Sequence, residues 1–205
     1  MSNFDLWQST GNSTYIIAEI GSNHRGSLAL AKELVDVAAE IGADCAKFQI
    51  IRPDYLHDLE TTNQEYVSLI KSIACDLEFF KTIKHYASGK IDVTASFTDW
   101  EVADEMKDMN LPFVKVASAQ FGLCSDLVCK FMESNIPLVC STGLCSETEL
   151  FSQMMKLRQV GDGLICLLHC ISQYPTQTQN LNLKRINYLR DVYGVPVGFS
   201  DHSME

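Results

Sequence analysis

No stretch of this 205-residue chain approaches the roughly 18 consecutive apolar residues of a membrane-spanning helix. Positive charge is scarce: 16 Lys and Arg stand against 26 Asp and Glu, a net charge of -10. With a pI near 4.9, a general nucleic-acid or anionic-membrane surface is excluded, although a few local lysines suffice to bind a small anion. The start, Met1 to Trp7, lacks a basic region followed by an apolar stretch, so no secretion signal is expected. Neither G-x-G-x-x-G nor G-x-x-x-x-G-K-[ST] occurs, which removes the common glycine-rich phosphate loops. The close C-x-x-C spacing of zinc and redox sites is missing too. The eight cysteines lie mostly in or beside apolar runs, in a chain too long for a disulfide scaffold. They are expected to be buried free thiols, which places the chain in the reducing cytoplasm. Cys140 with Cys145, or Cys166 with Cys170, is the weaker alternative of a metal-ligand pair. No linker or low-complexity tract divides the sequence, and residues 1–205 are expected to form one domain.

What is present is an alternation of strand and helix signals, in a composition 46% hydrophobic and 20% charged that can bury a sizeable core. Tyr15 to Ile20, Cys45 to Ile50 and Ile91 to Phe97 read as strands. From Ser27, the positions Leu30, Leu34, Val37 and Ile41 recur at helical spacing, with Gly42 as the stop. An insert containing Pro53 leads into a helical stretch from about Asn63 to Tyr86. Asp99 is expected to open a helix through Met109. Ser146 and Glu149 form a capping box ahead of Leu150 to Val160. A weak echo runs through Asn110-Leu111-Pro112, Asn135-Ile136-Pro137 and Gly194-Val195-Pro196, each a turn, a proline at the head of a strand, then the strand. Such alternation means parallel pairing, in an open doubly wound sheet or a closed barrel. A doubly wound sheet concentrates polar residues at its switch point, whereas here every strand end carries them. The expected fold is α/β, a TIM-type barrel left incomplete with about seven parallel strands, since eight units typically need about 250 residues.

Those strand ends hold nearly all the plausible chemistry. They are Ala18 to His24, Lys47-Phe48-Gln49, Thr94 to Phe97, Lys115 to Ser118, Ser141-Thr142-Gly143, His169 to Ser172 and Ser200-Asp201-His202. In a parallel barrel the C-termini of the strands meet at the active site. Lysine and glutamate are almost never buried unpaired, so Glu19, Lys47 and Lys115 need a reason to be there. No acidic neighbour on their own strands pairs the lysines, which favours binding of an anionic substrate over a structural ion pair. Thr94, Ser96, Ser118, Ser141, Thr142, Ser172 and Ser200 add hydroxyl donors suited to phosphate and carboxylate groups. Glu19 reads equally as a catalytic carboxylate or as half of a salt bridge. His202, beside Asp201, suits a metal ligand or a general base.

The stretches Ile16 to Gly26, Gly42 to Gln49 and Lys115 to Ser118 resemble the sialic acid synthases. So do Ser141-Thr142-Gly143, Leu167 to Cys170 with Tyr174-Pro175, Asn182-Leu183 and Gly198 to His202. The resemblance implies a TIM barrel that condenses phosphoenolpyruvate with an N-acetylmannosamine-type sugar, free or 6-phosphorylated, to a nonulosonic acid and phosphate. It implies Glu19 as the catalytic residue that handles protons or orients substrate. Phosphoenolpyruvate would be held by Lys47, Thr94, Lys115, Ser118, Ser141, Ser172 and Ser200, and Tyr174 would contact the sugar. His202 would bind a divalent metal, Mn2+ or Mg2+, whose second ligand is missing from this chain. The implied partners are these small molecules and a second copy in a homo-oligomer, with no nucleic acid and no membrane. Against the family pattern, Ala95 stands where a phosphate-contacting threonine is common, so that Thr94 or Ser96 substitutes, and Gln120-Phe121 stands where Gly-Glu is common. The chain also stops at Glu205, before an eighth strand and a C-terminal antifreeze-like domain. The other class of reading is a non-catalytic binding subunit that recognises phosphoenolpyruvate or the sugar without turnover.

Overall fold

The structure, a computed structural model, describes residues 14–53, 62–97, 100–133, 135–161 and 164–204. Asp99, the expected helix opener, lies outside the described residues, as do Met1 to Trp7 and Glu205. The chain divides into two compact units, with the boundary between Pro112 and Phe113.

The first unit contains β1 (Ile17–Gly21), α1 (Leu28–Glu40), β2 (Cys45–Gln49), α2 (Gln64–Ile73), α3 (Leu77–Ala87), β3 (Asp92–Ser96) and α4 (Trp100–Lys107). β1, β2 and β3 pair in parallel and in that order. Ser27 caps α1, its hydroxyl accepting from the Leu30 N–H, and the helix ends at Ile41 ahead of a left-handed Gly42. The buried seam of α1 is Ala31, Val35 and Ala38, one position beyond the larger Leu34 and Val37. Small side chains let the helix approach the sheet and α3 closely, and Val37 and Ile41 stay exposed. The single helix expected over Asn63 to Tyr86 is two. Ala74 is extended, Cys75 pairs in parallel with Ile50, and the Asp76 carboxylate accepts from the Phe79 N–H at 2.8 Å to start α3 afresh. Phe80 and Ile83 of α3 are buried, with Phe80 edge-on to Phe48 of β2.

The second unit contains β4 (Val114–Val116), α5 (Ser118–Leu123), α6 (Ser125–Glu133), β5 (Leu138–Ser141), α7 (Glu147–Val160), β6 (Ile165–Cys170), α8 (Lys184–Tyr193) and β7 (Val197–Ser200). Its four strands are also parallel, in sequence order. The capping box forms as expected: the Ser146 N–H donates to Glu149 Oε2 at 2.8 Å, and the Glu149 N–H donates to Ser146 Oγ at 3.3 Å. The threefold echo has a backbone cause. Asn110, Asn135 and Gly194 all take left-handed φ, which ends the preceding helix, and the proline two residues on leads into the strand. Each proline lies just before its strand rather than inside it. The carbonyls of Pro137 and Pro196 accept from Val114 N and Leu167 N, which lengthens the ladder without needing a proline N–H.

Candidate active site

In the first unit the strand register assembles the candidate residues. Glu19 lies opposite Lys47, and Lys47 opposite Thr94, so all three side chains leave the sheet on one face. Lys47 Nζ lies 2.7 Å from Glu19 Oε2, with the lysine side chain 7% exposed and the glutamate 54%. This corrects the expectation for Lys47: its acidic partner sits on the neighbouring strand, where the sequence alone does not show it. Because the carboxylate is half open, the pair is neither a buried salt bridge nor a surface one. Thr94 is fully buried beside Lys47, and Ser96 shares its face. Ala95, fully buried, points to the opposite face with Val93, so Thr94 and Ser96 are the hydroxyls that β3 offers here. Gly21 adopts φ +53, and a side chain there would stand 3.2 Å from Glu19 Oε1. Its absence keeps the carboxylate accessible.

The loop after β1 is scaffolding. The Asn23 amide donates to the Ile20 carbonyl at 3.0 Å. His24 is fully buried against Phe79 and Phe48, at ring-centroid distances of 4.7 and 6.0 Å. Its Nδ1 accepts from the Gly26 N–H at 3.1 Å, which leaves the proton on Nε2, a buried atom with no hydrogen-bond partner among the described residues. Burial lowers its pKa and keeps the ring neutral. His24 is thus a core histidine.

The second unit carries the remaining candidates in two groups. Lys115, 7% exposed, donates to Ser141 Oγ at 2.6 Å and to the Val116 carbonyl at 3.0 Å. Beside them the Gly143 N–H donates to Ser118 Oγ at 3.2 Å, and Cys170 Sγ lies 3.0 Å from the same oxygen. Gly143 permits this crowding, since a methyl there would stand 2.6 Å from Cys170 Sγ and 2.8 Å from Ser172 Oγ. Thr142 instead points its hydroxyl into the backbone, to the Leu168 carbonyl at 3.1 Å. Gln120 accepts from the Ala117 N–H at 3.2 Å and Phe121 is fully buried, so this departure from the family pattern is taken up by the local fold.

The other group centres on His202. Its Nδ1 lies 2.7 Å from the Ile171 carbonyl, which must accept the ring proton there and leaves a lone pair on Nε2. The Tyr174 hydroxyl is 3.1 Å from Nε2 and Ser200 Oγ is 3.4 Å away, while the Tyr174 ring stacks on the imidazole at 4.1 Å. A histidine oriented through Nδ1 by a carbonyl is the arrangement that metal-ligating imidazoles use. Asp201 does not orient it: its carboxylate accepts from the Ser203 N–H at 2.8 Å, which holds its pKa below the usual carboxylate range. Among the described residues no group of three or more His, Cys, Asp or Glu side chains could hold a metal ion. His202 fits as one ligand. His169, which shares its strand end with Cys170, faces the other way, bonded to the Leu181 carbonyl at 2.7 Å and stacked on Phe199.

Sequence reasoning placed Cys170 and Gly143 at strand ends but gave neither a role beside Ser118, with Cys170 weighed only as a weaker metal-ligand candidate alongside Cys166. All eight cysteines are free thiols and most are buried, which suits the small-hydrophobe reading. Cys170 differs by its phase: on β6 it lies two residues beyond Leu168, the partner of Ser141, so it shares the face of Lys115 and Ser141.

With this geometry in hand, the chain can be set beside known proteins. The model of the NeuB family matches residues 34–205. An uncharacterized protein of Methanocaldococcus jannaschii is 36% identical over 98% of this chain and 58% of its own length. The N,N'-diacetyllegionaminic acid synthase of Legionella pneumophila is 31% identical, over 93% of this chain and 58% of its own length. Among solved structures, the N-acetylneuraminic acid (sialic acid) synthetase of Leptospira borgpetersenii, in complex with citrate, superposes with a TM-score of 0.85. It is 30% identical, covering 94% of this chain and 66% of that one. The α/β fold, with three parallel strands in the first unit and four in the second among the described residues, is therefore shared with that synthetase. The chain spans rather more than half the length of the curated relatives it matches. It belongs to the NeuB family.

Proposed function

We propose that this NeuB-family chain supplies the phosphoenolpyruvate-binding machinery of a synthase that joins phosphoenolpyruvate to an N-acetylmannosamine-type sugar, forming a carbon–carbon bond and releasing phosphate. The observation that carries the reading is the buried Lys115 ammonium at the C-terminal end of β4, bonded to Ser141 at 2.6 Å, with Ser118 at the next turn. A covered cation among hydroxyls binds an anion well, because low local dielectric strengthens each charge-assisted contact. In the second unit Lys115 offsets the substrate's negative charge, while Ser118, Ser141, Ser172 and Ser200 donate to its phosphate; for Lys47 and Thr94 of the first unit, the same anion-binding role rests on the family resemblance alone. Glu19, anchored on one oxygen by Lys47 and open on the other, orients the sugar or moves its protons. Tyr174 supplies an exposed ring and hydroxyl for the sugar. His202 Nε2 is one ligand for a divalent cation, Mn2+ or Mg2+. Such an ion, when bound, polarises a carbonyl as a Lewis acid. The sugar is an N-acyl hexosamine. The named relatives, which include a legionaminic acid synthase and a sialic acid synthetase, span several such products.

Calorimetric titration with phosphoenolpyruvate tests the reading. Lys115→Ala is expected to lose about 1.5–3 kcal/mol of binding, roughly ten- to a hundredfold in affinity. Equal affinities for wild type and variant remove Lys115 from the site and the proposal with it.

A further inference from the structure

Ser118 Oγ has two fixed neighbours, the Gly143 N–H at 3.2 Å and Cys170 Sγ at 3.0 Å. A hydroxyl oxygen offers two acceptor lone pairs and carries one proton. The Gly143 N–H occupies one lone pair. If the thiol proton occupies the other, the Ser118 proton has to point away from both neighbours. A thiol is a weak donor, but this one is held in place. Cys170 is 2% exposed, its strand position is fixed by pairing with Ser200, and the missing side chain at Gly143 is what lets it approach.

We infer that Cys170 is a positioning residue: its S–H donates to Ser118 Oγ and so presents the Ser118 O–H, already aimed, to the substrate anion. The inference rests on the phosphoenolpyruvate reading above. No covalent step is involved. Had Ser118 instead donated to sulfur, it would offer the anion no proton, and truncating Cys170 would improve binding.

The test is a double-mutant cycle read as phosphoenolpyruvate affinity by calorimetry, with Lys115→Ala measured alongside. Cys170→Ala is expected to weaken binding by about two- to tenfold, the range of one neutral hydrogen bond. Cys170→Ser, which keeps a donor at the same place, is expected to restore affinity to within about twofold. In a Ser118→Ala background, Cys170→Ala is expected to have no further effect. An equal loss in both backgrounds, failure of the serine variant to rescue, or tighter binding in Cys170→Ala each overturns the assignment. These outcomes separate from failure of the broader reading: if Lys115→Ala binds like wild type, the substrate is wrong. If Lys115→Ala is weak and the cycle is additive, only the role of Cys170 falls.

Discussion

Glu19 and Lys47 share one ion pair but not one environment. The ammonium is covered and the carboxylate half open, with 2.7 Å between them. A fully exposed pair of this length contributes at most about 1 kcal/mol, and a fully buried one is offset by desolvation. The pair is therefore a poor stability device and a good way to hold one carboxylate oxygen still while leaving the other accessible. Glu19→Gln keeps the size and an acceptor for Lys47 but removes the charge. In a full-length synthase bearing this sequence, turnover is expected to drop by roughly 10²–10⁴-fold, with phosphoenolpyruvate affinity little changed. Near-normal turnover would leave Glu19 as an architectural partner of Lys47 only. Neither the pair nor the Ser118–Cys170 contact could be read in the sequence, because both depend on which residues face each other across strands. That Glu19, Lys47 and Lys115 call for a physical explanation was legible without that register, since charged residues at the ends of apolar strands are almost never buried unpaired. His24 shows the opposite case. Its place in a conspicuous polar cluster gave no sign that two phenylalanines enclose it.

Elements were legible where their signals are local. Ser27, where the helical spacing begins in the sequence, and the Ser146–Glu149 box act within one turn of helix, so both helix starts lie where the sequence puts them. The three turn–proline echoes were legible for the same reason, each being a left-handed residue followed by a fixed φ. The break between α2 and α3 was not, because its cause is the long-range pairing of Cys75 with Ile50. The seam of α1 also shifted: the largest apolar residues advertise one face, but close approach to the sheet selects the smaller Ala31, Val35 and Ala38. The capping box gives an element-scale test. Ser146→Ala removes the side-chain acceptor for the Glu149 N–H, and Glu149 loses the hydroxyl that helps keep its carboxylate pKa low. Urea unfolding is expected to show a loss of about 1 kcal/mol, within the 0.5–2 kcal/mol usual for such caps. An unchanged midpoint and slope would mean that the first turn of α7 contributes nothing to the measured transition.

Across the whole molecule, the family and the α/β class followed from strand ends spaced through the entire sequence, whereas the division into two compact units had no compositional marker such as a linker. The cysteines are a second molecule-wide property with a consequence for stability. Desolvation pushes the thiol pKa of Cys75 and Cys166 up to about 12 and that of Cys145 to about 11, from an ordinary value near 9. Cys45 and Cys140 are raised further by the same cause, and Cys166 feels an opposing pull from Lys115. Each raised pKa means that the unfolded chain gives up its thiol proton before the folded chain does. The stability these groups contribute is thus fully present below about pH 9 and is lost as the pH rises toward 11–12. Fully reduced protein is expected to unfold at progressively lower urea between pH 8.5 and 10.5, over and above the effect of its net charge of -10. The combined variant Cys75→Ala and Cys166→Ala removes two of the titrating thiols, so its unfolding midpoint should fall less steeply over that interval, even though its midpoint at pH 8 is lower from lost packing. Parallel midpoints for wild type and variant across the interval would show that buried thiols do not set the alkaline limit.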